Sequence, residues 1–407
     1  MKITLIAGAR PNFMKVAPII KAIKAAEAAG KDMHYRLVHT GQHYDKNMSD
    51  TFFEELGIPA PDVNLGCGGG SQAEQTAAIM VAFEKELMAH PADIVMVVGD
   101  VTSTMACSIV AKKLNTKVCH VEAGIRSWDL TMPEEINRMV TDSLADYMFT
   151  TSEVANRNLV RLGASLQLPP EGRRVIAQNP SPINGEDGKC DNKIHPSLQG
   201  GAGVGPKVWF VGNVMIDTLL ANRSRFRKPE VWDELGLKEQ EFIVMTMHRP
   251  ANVDEENHLR AMMEQIIDNV HGLPVIFPIH PRTAKLFYGL WGDEAELAKR
   301  LPNLHIVEPM GYLEFNYLVE RAKAVVTDSG GITEETTVMG VPCITLRDNT
   351  ERPETCTVGT NELIGTDPAA IKPALDKLFA GEWKKGAIPE LWDGHTAARI
   401  IEILADL

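Results

Sequence analysis

Two parallel α/β domains of Rossmann-like type, facing each other across a cleft, are the fold the sequence predicts. Three observations carry this expectation. Continuous apolar strands alternate with amphipathic helices from Ile3 to Thr150, the pattern of a parallel sheet covered on both faces. The alternation fails between Leu166 and Pro206, where proline and glycine dominate, and then restarts. A chain of 407 residues also exceeds one ordinary core and fits two.

The elements follow in order. Ile3–Ala7 reads as a strand, Val16–Ala29 as largely helix and Leu37–Thr40 as a short strand. Ile94–Val98 is a buried strand, followed by a helix from about Thr104 to Leu114, and Val118–Val121 is the next strand. Glu134–Ala145 reads as helix and Tyr147–Thr150 as strand. After the break, strands are expected at Val208–Val211, Ile243–Met247, Val275–Ile279, His305–Val307, Ala324–Thr327 and Cys343–Leu346. Ala397–Leu407 has helical spacing. The expected division is a first domain over 1–165, an insert or linker over 166–206, and a second domain over 207–392. A terminal helix within 393–407 is expected to pack back on the first domain.

Composition narrows the function. Hydrophobic residues make up 44% and charged residues 23%, a soluble globular profile. A net charge of −13 argues against nucleic-acid or anionic-membrane surfaces. Met1–Ile6 enters a strand directly, and no apolar run approaches the ~20 residues that span a bilayer. The six cysteines show no metal-ligand spacing. A cytoplasmic protein without disulfides or structural zinc is expected.

The polar motifs sit at carboxyl ends of strands, where open α/β sheets bind ligands. In Thr327-Asp328-Ser329-Gly330-Gly331, a strand turns into a helix. The first amides of that helix have no partner in the chain and carry the positive end of the dipole, so the turn suits a phosphate. Glu335, about one turn on, is placed to take sugar hydroxyls. The plain alternative is a capped helix packed closely through its glycines.

Arg10 and Lys15 bring cations to the end of the first strand; an arginine there can clamp a phosphate. Asp100 ends the Ile94–Val98 strand, and could equally cap the next helix. Glu122 falls within an apolar strand, where an unpaired carboxylate is costly. Either Arg126 neutralises it or its pKa is raised for proton transfer. Glu134 and Glu135 open a helix after Pro133, an ordinary helix start that could also turn one acid toward the same pocket. His248-Arg249 and His280-Pro281-Arg282 end adjacent strands, and His248 could serve a diphosphate leaving group. Arg352 lies in a charge-dense loop after the last strand; Phe315 could stack a base or simply fill the core.

Taken together, the segments GARPNFMK, TGQHYD, VVGD, HVEAGIRS, MPEEINR, GNVMIDT, HRPAN, HPR, TDSGGITEE and RDNTERPE closely resemble the non-hydrolysing UDP-N-acetylglucosamine 2-epimerases over nearly the whole chain. The resemblance implies a glycosyltransferase-B fold, a homodimer, a UDP-sugar substrate, and no metal or nicotinamide cofactor. It implies anti elimination of UDP to 2-acetamidoglucal, then re-addition to the other face with C2 inverted. Asp100, Glu122 and Glu134 match the family's catalytic acids, and His248 its histidine. Arg10, Ser329, Gly330 and Gly331 match the diphosphate site, Glu335 the ribose acid, Phe315 the uracil contact and Arg352 a further substrate arginine. Lys15 and His280 are expected ligand contacts.

Two departures qualify the match. Members regulated by a second UDP-N-acetylglucosamine carry a glutamine three residues after the TGQ glutamine, and an arginine before the next helix. This chain keeps Gln42 but has Asp45, and its Leu65–Gln72 segment lacks arginine. Substrate activation at a second site is therefore expected to be absent or altered. The 166–206 insert leaves the exact sugar open. The alternatives are a hydrolysing 2-epimerase that releases N-acetylmannosamine and UDP, or a 2-epimerase of a modified UDP-sugar. More remote ones are a glycosyltransferase of the same fold and a non-catalytic binder.

Overall fold

The structure, a computed structural model, describes residues 1–41, 55–161, 165–167, 206–279 and 281–407. Its first half is built from β1 (Lys2–Ala7), α1 (Arg10–Ala28), β2 (His34–His39), β3 (Val63–Asn64), α2 (Gln72–Ala89), β4 (Ile94–Val98) and α3 (Thr102–Lys113). There follow β5 (Lys117–Val121), α4 (Pro133–Leu144), β6 (Tyr147–Thr150), α5 (Glu153–Arg161), β7 (Ser165–Gln167), β8 (Lys207–Phe210), α6 (Val214–Asn222) and α7 (Glu230–Glu234). The second half contains β9 (Ile243–Thr246), α8 (Pro250–Val253), α9 (Glu256–Asn269), β10 (Val275–Pro278), α10 (Pro281–Trp291), α11 (Glu294–Arg300) and β11 (Leu304–Val307). It ends with α12 (Tyr312–Arg321), β12 (Ala324–Thr327), α13 (Gly330–Met339), β13 (Cys343–Thr345), α14 (Pro353–Thr357), β14 (Asn361–Leu363), α15 (Ile371–Phe379) and α16 (Thr396–Ala405).

Two parallel sheets result. The first runs β3-β2-β1-β4-β5-β6-β8-β7 and the second β11-β10-β9-β12-β13-β14. Val95, Val97 and Val98 of β4, and Val325 and Val326 of β12, are buried almost completely. Strands covered on both faces explain why these runs are continuously apolar rather than alternating.

Each sheet reverses its strand order near its centre, and the first reverses again at its β8-β7 edge. In the first, β1 and β4 are neighbours joined by crossovers running opposite ways; in the second, β9 and β12 are. The loops at such switch points splay apart and leave a crevice.

One boundary differs from the sequence reading. Val208–Val211 was expected to start the second domain, but Lys207–Phe210 pairs with β6 in the first sheet, with Tyr147 opposite Lys207. The second sheet begins only at Ile243. An apolar run signals a buried strand but not which sheet receives it. Leu166 and Gln167, read as the start of the insert, belong to β7 beside β8; residues 168–205 of that insert lie outside the described residues.

The last helix, α16, lies on α1. Ala397, Ile400, Ile401, Ile403 and Leu404 share one apolar cluster with Ile3, Leu5, Ile19 and Ile23 of the first domain. Tyr312 and Leu313 of α12 belong to that cluster as well.

Candidate functional site

The β1–α1 turn is set by Asn12. Its Oδ1 accepts the amides of Gly8 and Ala9 at 3.2 and 3.0 Å, and its Nδ2 donates to the Val98 carbonyl at 2.9 Å. This ties the two switch-point strands of the first sheet together. Arg10 opens α1 here, and Lys15 sits about a turn further along. Lys15 Nζ reaches Glu122 at 2.5 Å. Gly99 makes room for it: its φ is +69, and a Cβ there would stand 3.1 Å from Lys15 Nζ.

Glu122 follows β5 with φ 73, a left-handed backbone that a non-glycine residue adopts at a cost of order 1–3 kcal/mol. Its Oε2 accepts from Lys15 and, at 3.0 Å, from Arg352 of the second domain. Its buried Oε1 has no hydrogen-bond partner among the described residues. Burial works against the charge, but Lys15 and Arg352 overcome it and hold the carboxyl below its ordinary pKa. Of the two possibilities for Glu122, charge pairing therefore holds, but Arg126 is not the partner. Arg126 binds Asp142 at 2.7 Å instead. The turn through Glu122 and Gly124 directs the two side chains to different neighbours, which a linear reading does not reveal.

Asp100 meets Arg138 Nη1 at 2.5 Å. The adjacent acids of α4 divide their work. Glu135 is fully buried and accepts the amides of Ser127 and Trp128 at 2.9 and 3.3 Å and the Arg138 guanidinium at 2.9 Å. Glu134 is exposed and lines the cleft. His120, buried between Asp142 at 2.6 Å and the Gly99 carbonyl at 2.9 Å, braces the turn that carries Asp100.

In the second sheet, Asp328 organises the switch point. Its Oδ2 accepts the amides of His248 and Arg249 at 2.9 and 2.8 Å and Asn252 Nδ2 at 3.1 Å. Its Oδ1 lies 2.8 Å from His248 Nδ1. Burial opposes its charge, yet the His248 contacts and the amides bring its pKa down to about 2. His248 itself is exposed, whereas Arg249 lines the cleft. Ser329 caps α13 with extended dihedrals and no side-chain hydrogen bond to the helix, which leaves the first turn of amides directed at the cleft.

Arg352 joins the halves. Besides Glu122 it contacts Thr151 at 3.4 Å and forms an ion pair with Glu334. Burial would discharge it, but Glu334 and Glu122 keep its pKa above the ordinary arginine value. Burial pushes Glu335 up to about 7, against a hydrogen bond from Tyr312.

The two domains enclose one cleft of ≈ 610 Å³, and the exposed His248 is not among the residues that line it. Lys15, Asp100, Glu134, Phe315, Ser329, Gly330, Gly331, Glu335 and Arg352 line it. Glu122 does not, but touches Lys15 and Arg352, which do. His280 lies outside the described residues. Sequence reasoning assigned no role to Arg138, Arg249, Tyr312, Glu334 or Glu351, all of which face the cleft. Arg138 and Glu334 sit inside the MPEEINR and TDSGGITEE segments, so the signal was present. Tyr312 had none beyond its closeness to Phe315. Among the described residues, no group of three or more His, Cys, Asp or Glu side chains could hold a metal ion.

Opposed switch points across a cleft between two parallel sheets define the glycosyltransferase-B class of fold. A family profile described as UDP-N-acetylglucosamine 2-epimerase matches residues 25–171 and 202–405. The chain belongs to that family. It is 36% identical to the UDP-N-acetylglucosamine 2-epimerase of Methanocaldococcus jannaschii, with 99% of each chain covered. It is 35% identical to the UDP-2,3-diacetamido-2,3-dideoxy-D-glucuronate 2-epimerase of Pseudomonas aeruginosa, with 100% of each covered. The crystal structure of the M. jannaschii enzyme in complex with UDP-GlcNAc and UDP superposes with a TM-score of 0.79 at 35% identity over 100% of both chains.

Proposed function

We propose that this chain inverts C2 of UDP-N-acetylglucosamine to give UDP-N-acetylmannosamine without hydrolysis. The C1–O bond breaks, and UDP leaves with the electron pair. The C2 proton passes to a carboxylate, which leaves 2-acetamidoglucal. UDP then adds to C1 and a proton to the opposite face of C2. Elimination and re-addition are redox neutral, so no step calls for a nicotinamide.

The observation that carries this reading is the meeting of first-domain acids with the second domain's anion-directed turn at one cleft. The C2 proton becomes removable only as positive charge develops on the ring. Acids must therefore face a site that stabilises a departing diphosphate. The Gly330 and Gly331 amides and Lys15 suit the diphosphate, as does Arg10 by its place at the start of α1; the Ser329 amide already donates to Thr327 Oγ1 at 2.9 Å. Glu335 suits the ribose hydroxyls and Phe315 the uracil face. Asp100, Glu122 and Glu134 are the acids for the ring and C2. His248, held by Asp328 at 2.8 Å, suits the leaving phosphate oxygen. The same reading makes the protein a cytoplasmic homodimer, which light scattering checks for oligomeric state.

A second reading is favoured by the Pseudomonas relative, whose substrate carries a C6 carboxylate. Arg249 lines the cleft and is only loosely paired with Glu351, at 3.8 Å, so a cation is available for such a group. Incubation with UDP-N-acetylglucosamine in deuterated water, followed by NMR, tests the main reading. Deuterium at an inverted C2 in intact nucleotide-sugar supports it. Release of free sugar supports the hydrolysing alternative. No exchange, alongside turnover of the diacetamido uronate, supports the second reading.

A further inference from the structure

The domains also touch through Glu55. This first-domain residue is buried, and its Oε2 accepts the amide of Tyr312, the first residue of α12, at 3.0 Å. Arg227 donates to its Oε1 at 2.9 Å and to Glu314 of α12 at 2.9 Å. Gly311 caps the helix at φ −61, where alanine fits the backbone. A Cβ there would nevertheless stand 2.6 Å from Glu55 Oε1. Tyr312 packs into the first domain's apolar cluster and donates its hydroxyl to Glu335 Oε1 at 2.8 Å. One residue thus connects a first-domain carboxylate, through its amide, with a cleft carboxylate, through its hydroxyl.

We propose that Tyr312 is a positioning residue: anchored across the domain boundary by Glu55, it fixes Glu335 as an acceptor for the ribose hydroxyls of the nucleotide when the domains are closed. The proposal rests on the reading of Glu335 as the ribose acid. Its chemistry is coherent. Ribose hydroxyls donate, and an ionised Glu335 accepts them with both oxygens and more strongly than a protonated one. Burial pushes Glu335 up to about 7, while donation from Tyr312 and Asn316 favours the ionised form. Burial also raises the Tyr312 hydroxyl well above its ordinary pKa, so it remains a donor. The other charged neighbours are already engaged. Glu334 raises Glu335 further but is paired with Arg352. Asp217, on the α6 helix packed against α13, accepts the amides of Thr396 and Ala397 at 3.1 and 2.7 Å.

Calorimetric binding of UDP from pH 6 to 9 tests this with wild type, E335Q, Y312F, E55Q and G311A. Phenylalanine keeps the packing of Tyr312 and removes only the donor. Y312F should weaken UDP about tenfold at pH 7, the worth of one hydrogen bond to a charged group. It should also move the rise of affinity with pH to higher pH. E55Q and G311A should move it the same way by less. A purely structural role would not shift the pH profile. If E335Q weakens UDP and flattens the profile while Y312F matches wild type, the positioning role is overturned and the ribose reading stands. If Y312F behaves as expected but E55Q and G311A match wild type, the cross-domain anchor is overturned. If E335Q binds UDP like wild type, the ribose reading falls and this proposal with it.

Discussion

Glu122→Gln keeps the shape of the side chain and removes the charge held between Lys15 at 2.5 Å and Arg352 at 3.0 Å. A positioned base contributes about 10²–10⁴-fold, equivalent to ~2.7–5.4 kcal/mol of barrier. Loss of deuterium exchange at C2 by that factor is the expected result. Fold and nucleotide binding should survive. Breaking a buried ion pair outright costs about 3–5 kcal/mol. The glutamine oxygen can still accept from both cations, and Arg352 keeps Glu334, so the loss of stability should be nearer ~1–2 kcal/mol. The assay pairs exchange kinetics with UDP calorimetry and urea unfolding on one preparation. Exchange within about threefold of wild type would refute the reasoning and transfer the base role to Asp100 or Glu134, which line the cleft directly. Because its two cations hold the Glu122 carboxyl below its ordinary value, protonation of this residue should not set the loss of activity just below neutrality.

Three other perturbations follow from the geometry. D328N replaces an acceptor of three donated hydrogen bonds and should cost about 1.5–3 kcal/mol in urea unfolding. Asp328 is depressed to about 2 from 3.8, so its stabilisation is present above pH 4 and fades as pH falls toward 2; D328N should lack that acid-dependent component. W392A removes a buried indole whose Nε1 donates to the Thr151 carbonyl at 3.0 Å, and should cost about 3–5 kcal/mol; a loss under ~1 kcal/mol would mean the site collapses freely. Reaction from UDP-N-acetylmannosamine alone should start without a lag, since Leu65–Gln72 carries no arginine for a regulatory site; strict dependence on added UDP-N-acetylglucosamine would contradict this.

What could be read from the chain depended on sequence distance. Strand runs such as Ile94–Val98 and Ala324–Val326 declare themselves because they are buried on both faces. Helix α2 had a signal of its own, the reciprocal Ser71–Glu74 capping box, though the sequence reading passed over it. β14 is three residues long at a sheet edge and offers no such signal. The partners of Glu122 were out of reach for a different reason. Lys15 and Arg352 lie 107 and 230 residues away from it, while Arg126, four residues on, was the natural local guess. The split between Glu134 and Glu135 was equally hidden, because it depends on where the Ser127 and Trp128 amides lie.

These long-range pairs have a chemical consequence. Arg352 is buried with Glu334 of its own domain on one side and Glu122 on the other, and the second contact forms only when the two sheets face each other. Separating the domains would break the Arg352–Glu122 contact, while Lys15 stays with Glu122 and Glu334 stays with Arg352. The closed arrangement that brings the first-domain acids to the Ser329 turn is therefore favoured by Arg352, one of the two cations that keep Glu122 ionised.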